Sequence, residues 1–286
     1  MKFAVIGGDE RSALLGALLE RDGHRVYSFA MEKAELPKEI PKAGCLHGAV
    51  YGADCVVLGI PAESAGLVYT PLSDETLTVE ALLSALRPGQ LLCGGRWSEQ
   101  SRVDARRAGL RIEELMLRRG FTVGNAAITA EGALERMMAL SKRTLWRSRV
   151  LVTGWGRIAR ILSLRLRGLG AEVGIAARKE GDRAMAEALG MTALRMEELS
   201  EQIGGYDFIV NTVPARILSE EALCCVREDA LLLELASPPG GFDRTLCENI
   251  GLHAVAAPGL PGKCAPLTAA EQIRDAVYAA LREQEG

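Results

Sequence analysis

Gly154-Trp155-Gly156-Arg157-Ile158-Ala159 has the residue types and spacing of a turn that can cradle a dinucleotide. It follows the apolar run Arg149 to Thr153 and opens a segment in which Leu162, Leu166 and Leu169 recur at helical spacing. Gly154 permits the tight turn, Gly156 leaves room for backbone to approach a pyrophosphate, and Ala159 lets helix and sheet pack closely. A helix starting there presents free amides and partial positive charge to the diphosphate. The glycine pattern alone is a weak signal. Its weight comes from the strand before it, the helix after it, the stop at Gly168 and Gly170, and a further strand ending at Val173–Ala176. Trp155, Arg157 and Ile158 lie inside the turn, where the indole either shields the diphosphate or meets the adenosine.

Cofactor choice depends on the end of that next strand. NAD sites place an acid there, about 20 residues after the glycines, to accept from the ribose hydroxyls. This chain has Ala176-Ala177-Arg178-Lys179 instead. An acid would repel a 2′-phosphate, whereas an arginine fork gives it two charge-assisted hydrogen bonds, so NADP is the expected cofactor. Against this, Arg178 and Lys179 could merely solvate the next helix, and Glu180 could serve ribose if the strand ran longer. Asn211, Thr212 and Pro214 end the following strand at the crevice edge.

Two other groups could meet a ligand. Gly7-Gly8-Asp9-Glu10-Arg11 is a second glycine turn, but Ser12 and Ala13 stand where its close helix contact would be made, so a second cofactor is not expected. Asp9 suits a helix cap, and Arg11 could reach an anionic substrate in a cleft between lobes. The run Ala257 to Gly262, with Pro258, Gly259 and Leu260, reads as a shaped turn at a strand end, lining the nicotinamide side.

The elements that must position these residues alternate. Residues 3–6, 25–29, 54–61 and 91–93 read as strands, with helices after Gly8, from Thr76 to Leu86 and from Ser98 to Arg107. A second series of strands covers 149–153, 173–176, 208–212, 231–235 and 252–256. A helix from Ile128-Thr129 to Leu140, with Thr129 as its cap, separates the two series. The fold class is therefore α/β, with two Rossmann-like parallel-sheet domains separated by a cleft and joined by a connecting helix. The boundaries fall at 1–125 for the substrate and partner domain and 126–264 for the nucleotide domain. The amphipathic helix 268–285 either finishes the second or packs back on the first.

Composition narrows the class. The chain has 286 residues, 48% of them apolar, enough for two cores. A net charge of −3 provides no global field for nucleic acid or an anionic membrane, although Lys142 to Arg167 contains basic residues and no acid. Seven scattered cysteines and three dispersed histidines have no metal spacing, so no metal is expected, and they suit a reducing compartment. No run reaches the length of a membrane span and the start lacks a signal-peptide core, so a cytoplasmic protein is expected.

Taken together, Val5 to Arg11, Asn125 to Gly132, Gly154 to Ala159 with Ala177-Arg178, Asn211-Thr212-Val213-Pro214 and Ala257 to Gly262 resemble the dipicolinate synthase A-subunit family, in order over almost the whole chain. The resemblance implies a pyridine-nucleotide dehydrogenase of endospore-forming bacteria, located in the mother-cell cytoplasm. It implies oxidation of a dihydrodipicolinate, or a hydroxytetrahydrodipicolinate-derived intermediate, to pyridine-2,6-dicarboxylate, with the flavoprotein-like B-subunit of dipicolinate synthase as partner. One departure stands out: where the family has arginine after Leu-Ala-Ser, this chain has Pro238, with Arg157 or Lys263 as substitutes for a carboxylate-binding cation.

For such a small dicarboxylate substrate, Arg11, Asn125, Glu131 and Ser237 are the candidate catalytic groups. Glu131, at the start of the connecting helix, would be the base if partly desolvated, since burial raises a carboxyl pKa. A homo-oligomer, most simply a dimer, is expected on general grounds. Two other classes stay open: a shikimate-like or alanine-like two-lobed NADP enzyme, and a subunit that binds NADP(H) without turning it over.

Overall fold

Phe3, Ala4, Val5 and Ile6 are apolar without alternation, and a strand of that kind is stable when both its faces are covered. In the computed structural model, which describes residues 1–285 and side chains through Glu283, all four are buried in β1 (Lys2–Ile6). Phe3 and Val5 enter one apolar cluster and Ala4 and Ile6 another, one on each face of the sheet.

The chain divides into two compact units, Met1–Asn125 with the chain from Ala265 on, and Ala126–Cys264. In the first, β1 is followed by α1 (Glu10–Arg21), β2 (Arg25–Phe29), α2 (Leu46–Val50) and β3 (Cys55–Leu58). A two-residue hairpin, β4 (Glu63–Ser64) and β5 (Leu67–Val68), leads to α3 (Val79–Ala85), β6 (Leu91–Gly94), α4 (Glu99–Arg107) and β7 (Arg111–Glu114). The sheet is parallel, in the order β2-β1-β3-β6-β7. Local chemistry sets the helix starts: Asp9, Thr78 and Ser98 each accept an amide of the first turn.

Helix α5 (Arg119–Leu140) carries the chain into the second unit. There β8 (Arg149–Thr153), α6 (Arg157–Gly168), β9 (Glu172–Ala176), α7 (Glu180–Ala188) and β10 (Thr192–Leu194) form one half. The other half is α8 (Leu199–Gln202), β11 (Phe208–Asn211), α9 (Glu220–Cys224), β12 (Leu231–Glu234), α10 (Arg244–Asn249), β13 (His253–Ala256) and α11 (Leu260–Cys264). The six parallel strands run β10-β9-β8-β11-β12-β13, so the order reverses between β8 and β11. Val150 and Val152 face one core and Leu151 the other.

The last helix, α12 (Pro266–Glu285), belongs to the first unit. Ala270, Ile273 and Val277 share a buried cluster with Leu15 and Leu19, Tyr278 donates to Asp22 at 2.8 Å, and Arg118 pairs with Glu283 at 2.7 Å.

The structure departs from the sequence reading at three places. β7 and β10 are edge strands too polar or too short to stand out; backbone pairing to one neighbour, not an apolar pattern, defines them. The connecting helix begins at Arg119, so Thr129 is a buried interior residue and not its cap. Gly120 and Gly124 weaken the local helix signal, but Phe121 is buried in the core with α12, and Gly124 lies where a Cβ would collide with the Gln272 side chain. Finally, the run expected as a loop to Gly262 is a turn only through Gly259; Leu260, 1% exposed, starts α11 by burying its side chain.

Candidate functional site

The parallel arrangement brings the carboxyl ends of β8, β9, β11, β12 and β13 to one edge of the second sheet, the edge where open α/β sheets take ligands at the reversal of strand order. Gly154 follows β8 with φ +91°, and its amide donates to the Ala176 carbonyl at 2.8 Å. A Cβ there would lie 2.8 Å from Thr212 Oγ1 and 2.9 Å from Val213 Cγ2, so the turn needs glycine both for conformation and for space.

Gly156 is the N-cap of α6 and offers no side-chain cap to the helix amides. Apart from the glycine and its own local backbone, no heavy atom of the described residues lies within 4 Å of where its Cβ would be. Open space in front of uncapped amides is the cradle a diphosphate requires, and Ala159, fully buried, lets α6 press on the sheet. These residues fit a dinucleotide. Arg157 and Ile158 occupy the first turn of α6, Arg157 exposed and Ile158 half-buried.

The Trp155 side chain has a different place from either expected one. It is 6% exposed and packs in the core with Ala130, Leu134 and Leu260, so only its backbone belongs to the turn. The apolar area of an indole favours the core over the surface of the turn.

β9 ends at Ala176, which puts Arg178 and Lys179 in the turn and leaves Glu180 as the first residue of α7. Arg178 and Lys179 are exposed. Arg183, which sequence reasoning passed over, donates Nη1 to the carbonyls of Ala177 at 2.9 Å and Arg178 at 2.8 Å and so fixes that turn.

A buried polar network joins the strand ends. Thr153 Oγ1 donates to Asn211 Oδ1 at 2.6 Å, and Asn211 Nδ2 donates to Glu234 Oε1 at 2.6 Å and to the Val213 carbonyl at 2.9 Å. Glu234 also accepts the amides of Ala236 at 2.9 Å and Gly241 at 2.6 Å. Asn211 is thus a fully buried organiser of the crevice edge, with Thr212 Oγ1 donating to the Thr153 carbonyl at 2.7 Å beside it. Glu234 and Thr153 were not singled out from sequence; the one signal was an acid ending the apolar run Leu231–Leu233. Pro214, Ser237, Pro258 and Gly259 are exposed beyond the ends of β11, β12 and β13.

The remaining candidates stand on other segments. Glu131 is an interior residue of α5, its side chain 64% exposed and paired with Arg165 at 2.9 Å. The desolvation on which a role as base depended is absent, because the helix turns this residue to water. Asn125 is half-buried in the same helix. In the first unit Arg11 is buried, donating Nε and Nη2 to Asp9 at 2.9 and 2.8 Å and Nη2 to the Ile60 carbonyl. Nearby, burial beside the Asp9 carboxylate pushes the Tyr69 hydroxyl up. A concavity of about 640 Å³ between α3 and α4, lined by Glu63, Glu80 and Asp104, has the wrong charge for a polyanion. No helix among the described residues is long and apolar enough to cross a membrane.

Two different families of known proteins match successive parts of the chain. Residues 2–116 match the family described as the N-terminal domain of the dipicolinate synthase A-subunit, and residues 114–236 match "D-isomer specific 2-hydroxyacid dehydrogenase, NAD binding domain". The dipicolinate synthase A-subunit of Bacillus subtilis (strain 168) is 26% identical over 297 residues, covering 99% of this chain and 96% of that protein. Its crystal structure superposes with a TM-score of 0.85 at 28% identity, over 99% of this chain and 96% of that one. The A-subunit structure from Bacillus halodurans gives 0.88 at 25% identity, over 98% and 97%. The second unit is thus an NAD(P)-binding domain of the dehydrogenase type. With likeness running through both units and in both sequence and structure, the chain is similar to the dipicolinate synthase A-subunit over almost its whole length.

Proposed function

We propose that this chain is the NADP-dependent dehydrogenase subunit of a dipicolinate synthase, oxidising a dihydrodipicolinate, or a hydroxytetrahydrodipicolinate-derived intermediate, to pyridine-2,6-dicarboxylate in the cytoplasm of a sporulating cell. The observation that carries it is the open, uncapped turn at Gly156, in a chain that is similar to the dipicolinate synthase A-subunit throughout its length.

The dinucleotide would be held by the amides of Gly154 to Ile158, with Asn211, Thr212 and Pro214 at the crevice edge and Pro258 and Gly259 on the nicotinamide side; Leu260, buried in the core, would only support that turn. Arg178 and Lys179 would take the 2′-phosphate, and no acid stands at the end of β9 to repel it. When bound, the cofactor supplies a hydride acceptor for a ring carbon. The chain's own task is pose and charge. Arg11 uses Nε and Nη2 on Asp9 and Ile60, and its Nη1 would take a carboxylate. Formation of the pyridine releases one hydride and one proton. Since Glu131 is exposed and ion-paired, the proton goes to water without a buried base.

The flavoprotein-like B-subunit is the expected partner. The test is to supply freshly generated intermediate and NADP+ to the purified chain, with and without that partner, following NADPH absorbance and dipicolinate together. Equal formation of both products, faster with the partner, is expected. NADP(H) binding with no dipicolinate from the pair would overturn the reading.

A further inference from the structure

Trp146, Leu164, Leu169, Met185 and Leu189 are large apolar side chains left exposed on the second unit. Scattered singly they would need no explanation, but the structure gathers them. α6 and α7 cover the same face of the sheet, with Ala159, Leu162, Leu166 and Ala186 in one cluster beneath them. Arg160 reaches Asp182 at 3.7 Å and Arg167 donates Nη1 to the Leu189 carbonyl, so the two helices are clasped at two heights. Leu164 lies one turn from each of those arginines along α6, and Met185 one turn from Asp182 and from Leu189 along α7. Both exposed side chains therefore sit between the clasps, on the outer side of the seam. Leu169 ends α6 about 7.5 Å further along the axis. Trp146 lies against the next residue, since a Cβ on Gly170 would collide with its ring. An apolar patch gathered in this way and rimmed by polar groups marks an interaction site.

The patch is ordered before anything meets it. Trp146 is 57% exposed yet fixed, with Gly170 against its ring edge and the Arg147 guanidinium 4.2 Å from its ring centre. Tryptophan and arginine dominate binding hot spots, and methionine is enriched at interfaces. Charge selects the occupant. Arg147, Arg160 and Arg167 rim the apolar centre, with Asp182 as the acid between them. Each guanidinium carries five donors, of which the contacts just named use a minority. A second copy of this chain, brought up by a two-fold axis, would set this arginine rim against itself. A different polypeptide, with an apolar surface ringed by carboxylates, meets it with complementary charge.

We infer that the α6–α7 face docks the partner subunit of the synthase, through an apolar patch on that subunit ringed by aspartate and glutamate. The inference rests on the dipicolinate reading above, which supplies the partner, and extends it to a surface that the reading leaves unassigned.

The purified B-subunit is the probe. Its binding to the full chain is measured by calorimetry at low and high salt for the parent, Leu164→Glu, Met185→Glu and Met185→Lys, with Leu117→Glu as a control on the first unit. All these positions are exposed, so melting temperature and NADPH affinity should stay parental. Leu164→Glu and Met185→Glu should weaken the partner about tenfold or more, and Leu117→Glu should not. Met185→Lys should weaken it less than Met185→Glu, and binding to the parent should weaken at high salt. Parental affinity in both patch glutamate variants overturns the inference and leaves the dipicolinate reading standing. An equal loss in Leu117→Glu overturns it as well, because the effect is then not one of place. Equal losses in Met185→Glu and Met185→Lys overturn the acidic rim and with it the choice of occupant. Loss of self-association in the patch variants, seen by sedimentation while the partner still binds them, assigns the face to copies of this chain and overturns the inference. A parent that binds no B-subunit and makes dipicolinate at full rate alone overturns both the inference and the need for a partner.

Discussion

Arg178 projects from a turn that Arg183 has already fixed by two hydrogen bonds to its carbonyls, so its guanidinium is presented on a held backbone. Desolvated, bidentate contact with a phosphate is worth more than the same charge on a mobile chain. Arg178→Ala should therefore weaken NADPH about tenfold or more and leave NADH within about twofold. Titrating both cofactors against parent and variant checks this, and an unchanged NADPH/NADH ratio would remove Arg178 from the site. Other residues illustrate what type and spacing leave out. Trp155 and Glu131 were reasonable by type, but the first is packed in the core and the second faces water. Which way a side chain points depends on the partner surface, and a short sequence window does not contain it.

At the scale of elements, Glu234 ties β8, β11 and β12 to the loop that carries Ser237. All its contacts run from donors to carboxylate oxygens, so Glu234→Gln sets an amide group against an N–H or against the Asn211 amide. A loss of about 1–3 kcal/mol is expected for a buried group left unsatisfied. Urea unfolding measures it, and parental stability would mean that the network is not continuous. The docking of α12 on α1 has a pH signature. Burial first, then the hydrogen bond to Asp22, holds the Tyr278 hydroxyl above its ordinary range. A group with a raised folded pKa contributes stability below its unfolded pKa, about 10 for tyrosine, and loses that contribution as pH rises through the folded value. Tyr278→Phe should thus cost a few tenths to about 1 kcal/mol at pH 8, with the difference from the parent shrinking by about pH 11. A constant difference across that range would mean that the hydroxyl titrates alike in the folded and unfolded chain. The strands β1, β8, β9, β11 and β12 were legible because doubly covered strands are apolar throughout. β7 and β10 were not, because pairing at a sheet edge is a property of the neighbour.

At the scale of the whole molecule, two units with separate cores make ligand effects separable. Saturation with NADPH at about 100 times its Kd adds about 2.7 kcal/mol to the state that binds it. Hydrogen exchange should show that protection around Gly154–Arg160 and Asn211–Val213, whereas pyridine-2,6-dicarboxylate should protect Gly7–Arg11. NADPH protection at Gly7–Arg11 with none at Gly154–Arg160 would place the nucleotide in the wrong unit for the present assignment.

The sequence by itself determined the α/β class, the glycine turn at Gly154–Ala159 and the cation at the end of β9, because each depends on local rules: periodicity, backbone freedom and charge within a few residues. Only the tertiary structure decided the start of α5, the burial of Trp155, the exposure of Glu131 and the Thr153–Asn211–Glu234 network. Those depend on which residues far apart in the chain are brought within a few ångströms. Gly124 is helical because Gln272 packs over it, and Glu234 is buried because Asn211 and Gly241 meet it, relations that no local window of either residue contains.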